Sequence, residues 1–384
     1  MDNVIVVPGQ VRASFTGELI GPGDAGYEQA RRVHNGLINK HPALIARCRT
    51  VPDVVDAIRI GREQAAEISV RGGGHGVAGL AVTDGGLMID LAPMKGIKVD
   101  ARRRTVWAQG GVTWKEFNRA TGGHGLATTG GVVSSTGIAG LTLGGGEGWL
   151  MGKYGLTIDN LLAVEIVTAA GEVLTASAEQ HPDLFWALRG GGGNFGVATS
   201  FEYRAHPVSA VCGGLVAHPI SRARDAFAFY RDLTQSAPDE LTVYFNLFAD
   251  PAAPENKLAA MIACHCGDPA AADADLKPLR ASGPPTADRR PDPAHALSGD
   301  QYPQRRRLPP GSVQLLEIGV PRRPVRRRAG RHGRRDPAVP VADERHGHRA
   351  LPRRGHPRRC RRHRLRPPRP RVQPADRVAV AGPR

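Results

Sequence analysis

Cysteine is scarce in this chain of 384 residues, and the five that occur, Cys48, Cys212, Cys264, Cys266 and Cys360, follow no regular spacing. That excludes a disulfide framework and suggests a reducing compartment. Cys264-His265-Cys266 lacks a second ligand pair at a suitable distance, so ordinary strand residues are favoured over a metal site there. Long apolar runs are also missing, so no membrane span is expected. The opening "MDNVIVVPGQ" has an acid at Asp2 and no charged segment leading into an apolar run, so no signal peptide is read. These absences together set a cytoplasmic location as the expectation.

Lysine is absent from the last hundred residues. Residues 281–384 hold 27 Arg, no Lys, 8 Asp+Glu and 18 of the 31 prolines, a net of +19, whereas residues 1–280 hold 25 Lys+Arg and 28 Asp+Glu, a net of −3. The overall +16 therefore belongs to one end of the chain. Few apolar residues and a single aromatic, Tyr302, interleave with those arginines, which speaks against a nucleic-acid surface and against a packed core. Disorder is expected from residue 288 onward.

What is present in the first part is an α+β alternation. "VPDVVDAIRIGREQAA" has helical spacing behind the capping candidate Thr50. "EISVRGGG" reads as a strand entering a glycine loop, and "GLMIDL", "GIKVD" and "RTVWAQGG" as strands. "TWKEFNRAT" reads as a helix, "LLAVEIVTAAGEVLTAS" as a hairpin, "PDLFWALRG" as a short helix and "NFGVATSFEYRAHPV" as a strand. "SRARDAFAFYRDLTQSAP" follows as a helix, with "LTVYFNLFA" and "KLAAMIACHC" as strands.

Three glycine loops carry the functional signal: "VRGGGHGVAG", "GLTLGGGEGW" and "RGGGGNFG". Bare backbone permits close approach to a ligand, and successive N–H groups can cradle phosphate oxygens. Gly74-Gly76-Gly79 and Gly191-Gly193-Gly196 match G-x-G-x-x-G, but strands follow both, so a dinucleotide fold of the strand–loop–helix kind is rejected. "GGEGWLMGKY" fails as a P-loop at Glu147 and Tyr154.

Residues 27–285 resemble the flavin oxidoreductases related to berberine bridge enzyme, in the vanillyl-alcohol-oxidase superfamily. The resemblance rests on "VRGGGHGVAGLAVTDGGLMIDL", "TTGGVVSSTGIAGLTLGGGEGWLMGKYGLTIDNLLAVEIVTAAGEVLTAS" and "PDLFWALRGGGGNFGVATSFEYRAHPV", in that order. It implies a PCMH-type FAD-binding domain of two α+β subdomains over 37–207, after an N-terminal segment 1–36. The start of an α+β substrate domain over 208–287 and the Arg/Pro-rich tail 288–384 would follow.

The resemblance also implies roles. His75, preceded by Arg71, Gly72, Gly73 and Gly74 and followed by Gly76, stands where such proteins bond FAD covalently through its 8α-methyl carbon. Some carry a second bond through a cysteine four residues before Gly137. Val133 stands there, so one bond is expected. Gly130, Gly131, Gly137, Gly140, Gly144 and Gly145 would line the diphosphate and ribose, and Val197 would meet the cofactor through its backbone. Tyr154 matches a tyrosine that helps deprotonate substrate in some relatives. It is either that base, if Lys153 lowers its pKa, or a packed aromatic. Asp159-Asn160 is read as closing a turn. The implied activity removes a hydride from an alcohol, an amine or an activated C–H of a small molecule or sugar, with dioxygen as electron acceptor. The other reading is a non-catalytic flavin-fold protein whose basic tail binds anionic partners.

The resemblance stops after "PLRASGPPTAD". The Arg/Pro/His/Ala composition beyond it is what a GC-rich gene yields out of frame. "VQLLEIGVP" can be encoded so that the frame one base later reads F-N-Y-W-K-S-G-F, which resembles a segment that family members carry at this point. An altered reading frame, and with it an inactive chain, is the expectation.

Overall fold

The chain is described as a computed structural model over residues 4–208, 210–250, 253–282 and 313–319. Strands β1 (Glu18–Ile20), β2 (Leu44–Arg47), β3 (Ile68–Arg71) and β4 (Leu87–Asp90) form one sheet ordered β1-β2-β4-β3. β1 runs antiparallel to β2, while β2 and β3 both run parallel to β4. Every residue of the central strand "LMID" is buried, as expected of a parallel strand covered on both faces.

Next along the chain come β5 (Ile97–Asp100), β6 (Thr105–Gln109), β7 (Leu126–Ala127), β8 (Leu161–Val167), β9 (Val173–Ser177), β10 (Val197–Arg204) and β11 (His206–Pro207). β5, β6, β10, β8 and β9 make an antiparallel sheet in that order, and β7 pairs with β11. Strand β6 alternates, with Val106 and Ala108 turned inward. Behind this sheet Trp114, Phe117 and Tyr203 meet edge to face, with ring centroids 5.2 Å apart for Trp114–Phe117 and 5.4 Å for Phe117–Tyr203. All three are fully buried, each contributing roughly 1.5–3 kcal/mol by area. Val167 and Val197 belong to the second sheet but pack into the core of Leu87 and Ile89, so the two α+β layers share apolar contacts.

The helix predicted behind Thr50 runs Val51–Glu63. The Thr50 hydroxyl accepts from the Asp53 N–H while the Asp53 carboxylate accepts from the Thr50 N–H, a reciprocal capping box. Thr113 and Glu116 repeat the device at the helix Trp114–Gly122.

A third sheet holds β12 (Ala210–Pro219), β13 (Leu241–Asp250), β14 (Ala253–His265) and β15 (Val313–Gly319), ordered β13-β14-β12-β15 and antiparallel throughout. Helices Ala223–Ser236 and Pro269–Ser282 lay Phe229, Tyr230, Leu233, Leu276 and Leu279 on it. Several elements depart from the sequence reading, strands β1, β2, β7 and β12 among them, and two more belong to this third layer. Pro269–Ser282 was not expected as a helix, although Ala272, Leu276 and Leu279 recur at helical spacing and the Asp268 carboxylate caps the Ala270 N–H. Val313–Gly319 lies within the segment for which no order was expected, yet it pairs with β12 from Ala210 to Val216. "VQLLEIG" carries Val313, Leu315, Leu316 and Ile318, residue types that suit a strand. The rest of the expected disorder beyond residue 288 lies outside the described residues.

Among the described residues no helix is long and apolar enough to cross a membrane, and no group of three His, Cys, Asp or Glu could hold a metal ion. Cys264 and His265 are buried strand residues and His265 pairs with Asp275 at 3.0 Å.

Candidate functional site

The site is built where the first two sheets deliver their glycine loops. β3 and β4 end in opposite charges, and the parallel register places Arg71 beside Asp90, with Arg47 of β2 on the other side. Asp90 is fully buried and takes Arg71 Nε at 3.0 Å and Arg47 Nε at 3.2 Å. The remaining Arg71 donors go to Asp90 and to the carbonyls of Ala30 and Arg32. Arg71 was expected to bind cofactor. Its guanidinium is instead spent on the strand ends and on the N-terminal segment, and it fixes the point from which Gly72 to Gly76 depart.

That loop meets, backbone to backbone, a second loop that starts at Gly130 and runs on into "GLTLGGGEGW". A Cβ on Gly73 would lie 2.2 Å from the Gly137 nitrogen, and a Cβ on Gly137 would lie 2.3 Å from the Gly73 nitrogen. No other residue fits either position without separating the loops. Gly137 precedes the short helix Ile138–Leu143, an element the glycine-rich sequence concealed. The third loop docks at the other end of that helix, where the N–H groups of Gly190 and Gly192 donate to the Leu143 carbonyl at 3.1 and 3.0 Å. All three glycine loops thus converge on six residues of chain.

The remaining expected positions divide. Around Gly76, Gly140 and Gly145 the space a Cβ would enter is open, so ligand atoms can approach the backbone there, and Gly144 closes the helix. Gly130 and Gly131 instead face the Trp114 ring, with a Gly130 Cβ only 2.3 Å from Trp114 Cε3. Their bareness serves core packing. Val197 is buried at the start of β10 with its side chain between the two sheets. Val133 stands in the second loop, two residues before Ser135.

His75 reaches across from the first loop to the second, with Nε2 2.9 Å from Ser135 Oγ. His34 stacks on it, ring centroids 4.0 Å apart and planes 15° from parallel. Burial, and then the neighbouring His34, hold the His75 pKa below the usual imidazole value, so the ring is neutral at pH 7.

Residues 42–177 match the FAD binding domain family. The (R)-6-hydroxynicotine oxidase of Paenarthrobacter nicotinovorans is 34% identical over 280 residues, 72% of this chain and 60% of that protein. The crystal structure of 6-hydroxy-D-nicotine oxidase from Arthrobacter nicotinovorans matches with a TM-score of 0.65 at 32% identity, over 69% of this chain and 59% of that one. Wild-type BBE-like 1 of Physcomitrella patens matches with a TM-score of 0.64 at 26% identity, over 72% and 60%. Residues 42–177 thus carry an FAD binding domain, and the chain is similar to FAD-linked oxidoreductases, berberine bridge enzyme-like proteins among them.

It spans 60% of the hydroxynicotine oxidase and between 32% and 53% of the curated FAD-linked oxidoreductases it matches. The loops fit the cofactor of that family. They offer open backbone at Gly76, Gly140 and Gly145, and a neutral imidazole beside them.

Tyr154 sits apart from the glycine loops, at the end of the helix Met151–Tyr154. It stacks on His206 with centroids 3.9 Å apart and planes 11° from parallel. Burial raises its pKa above the ordinary phenol value, and the opposing effect of Lys153 is smaller. Lys153 is paired with Glu240 at 3.2 Å. The expected activation by Lys153 is therefore not what the geometry offers. Asn160 closes the turn as expected, donating to the Tyr154 and Leu156 carbonyls at 2.9 Å each. Its Oδ1 lies 2.6 Å from His206 Nε2.

His34, Ser135, His206 and Asn160 were missed or underread from sequence. His34 lies in a segment without any motif, and Ser135 is one hydroxyl in "VVSSTG". Only the fold brings either to His75.

Proposed function

We propose that this chain is the FAD-binding part of an oxidoreductase that takes a hydride from a small-molecule alcohol, amine or sugar and passes electrons to dioxygen. The observation carrying this reading is His75, neutral and held by Ser135 of the second loop beside the contacting backbones of Gly73 and Gly137. FAD, when bound, supplies the two-electron acceptor for the hydride. The loop backbones lie open to its phosphates. His75 would hold the cofactor through an imidazole nitrogen, and dioxygen would take the hydride's two electrons with two protons, leaving as hydrogen peroxide. Val133 leaves no thiol for a second bond.

Tyr154, neutral at pH 7, orients substrate by donating its phenolic hydrogen bond. The similarity to a 6-hydroxynicotine oxidase favours amines within the substrate range. By the resemblance, the sheet β12–β15 belongs to the domain that would cover the flavin ring and exclude water from the reaction.

Incubating the purified full chain with FAD tests the reading. Binding should quench flavin fluorescence, and the colour should survive acid denaturation. Flavin that stays in solution throughout contradicts it.

A further inference from the structure

Two side chains outside the His75 loop touch His75, and neither is needed to build that loop. His34 comes from the N-terminal segment and Ser135 from the second glycine loop. The His34 contact is built in. Its backbone N–H donates to the Gly74 carbonyl at 2.9 Å, Asn35 Nδ2 donates to the Val77 carbonyl at 2.8 Å, and Arg71 holds Ala30 and Arg32. Residues 30–35 are thus laced to the loop from Arg71 to Val77, and the two imidazoles meet face to face as a result.

A histidine that forms a bond to carbon must present a lone pair on one nitrogen and hold its plane steady while the bond forms. A hydroxyl at Nε2 and a ring stacked on the face supply those two constraints. With the Nε2–H donating to Ser135 Oγ, the lone pair lies on the other nitrogen. The bond replaces one C–H of the 8α-methyl group: the carbon loses that proton, the imidazole Nε2–H leaves through Ser135, an exposed residue, to water, and the two electrons left on the flavin reduce dioxygen to hydrogen peroxide. Stacking at 4.0 Å also disfavours charging both rings, which keeps His75 nucleophilic.

We propose that His34 and Ser135 are positioning residues for flavin attachment, orienting the His75 ring and setting which nitrogen carries the lone pair. The proposal rests on His75 as the attachment point. It also implies that attachment awaits folding of the N-terminal segment onto the loop.

The test follows acid-stable flavin against time after FAD is added to purified full chain, with FAD affinity measured separately by fluorescence quenching. Wild type should attach flavin and His75→Ala should not. Failure of wild type to attach any flavin removes the underlying reading. With wild type attaching, Ser135→Ala and His34→Ala should attach about tenfold more slowly or worse while binding FAD as tightly as wild type. Ser135→Thr keeps the hydroxyl and His34→Phe keeps the planar face, so both should recover most of the rate. Attachment by the alanine variants at the wild-type rate overturns the proposal. So does a loss of rate matched by an equal loss of affinity, which marks a merely structural role.

Discussion

Gly73 and Gly137 touch through their backbones, and a side chain on either would press into the other's nitrogen at 2.2 or 2.3 Å. The first two glycine loops are therefore one unit. Gly137→Ala forces them apart at a cost of about 1–3 kcal/mol, the range for overpacking. It should also weaken FAD binding, because the open backbones at Gly76 and Gly140 then no longer share a frame. Gly140→Ala, whose Cβ meets nothing, is the matched comparison, and it should leave thermal stability unchanged. Equal melting temperatures for the two variants would remove the argument from contact.

Asp90 anchors the same loop from beneath. Removing its charge strands two guanidiniums, and Asp90→Asn should cost about 3 kcal/mol, the low end for a broken buried pair because Arg47 and Arg71 are partly solvated. Denaturant titration of the variant measures this. A loss below about 1 kcal/mol, the size of a surface pair, would contradict the buried rung.

Tyr154 sets a pH window. Burial raises its phenol pKa above about 10, so folding favours the protonated form. The stability this contributes is complete below the unfolded value and is lost as pH rises through the folded one. Tyr154→Phe should therefore remove part of the alkaline loss of stability. The phenolate absorbance missing from the variant should be one that titrates above the ordinary value. A missing component that titrates below pH 10 would restore Tyr154 as a candidate base.

The reading frame gives a fourth expectation. Deleting one base near codon 288 replaces "VQLLEIGVP" by the aromatic string its alternative frame encodes. The restored chain should consume dioxygen over a panel of alcohols, amines and sugars, and the chain as written should show little or no turnover. Equal rates from both would show that the Arg/Pro run is no obstacle to activity.

Strands β3–β6, β8–β10, β13 and β14 and the helices Val51–Glu63, Trp114–Gly122, Pro182–Leu188 and Ala223–Ser236 were legible because they depend on local periodicity and caps, as at Thr50–Asp53 and in the hairpin of β8 and β9, whereas β1, β2, β7, β12, β15 and the shorter helices were not. The glycine loops were legible as a group, but individual roles were not. Gly130 is bare for Trp114, and Arg71 is charged for Asp90. Nothing beside Gly130 signals Trp114. The charged ends of "ISVR" and "LMID" did carry a signal, since parallel strands of equal length place Arg71 and Asp90 side by side. His34 carried none, because its role exists only once residues 30–35 lie on the loop.

The most direct test of the account is the flavin's place on the chain. Tryptic cleavage after Arg71 and Lys95 releases one peptide holding Gly72 to Lys95, with His75 as its only histidine. Mass spectrometry of the FAD-loaded protein should find the flavin on that peptide, at His75. Recovery of that peptide wholly unmodified, with the flavin released on denaturation, would contradict the account.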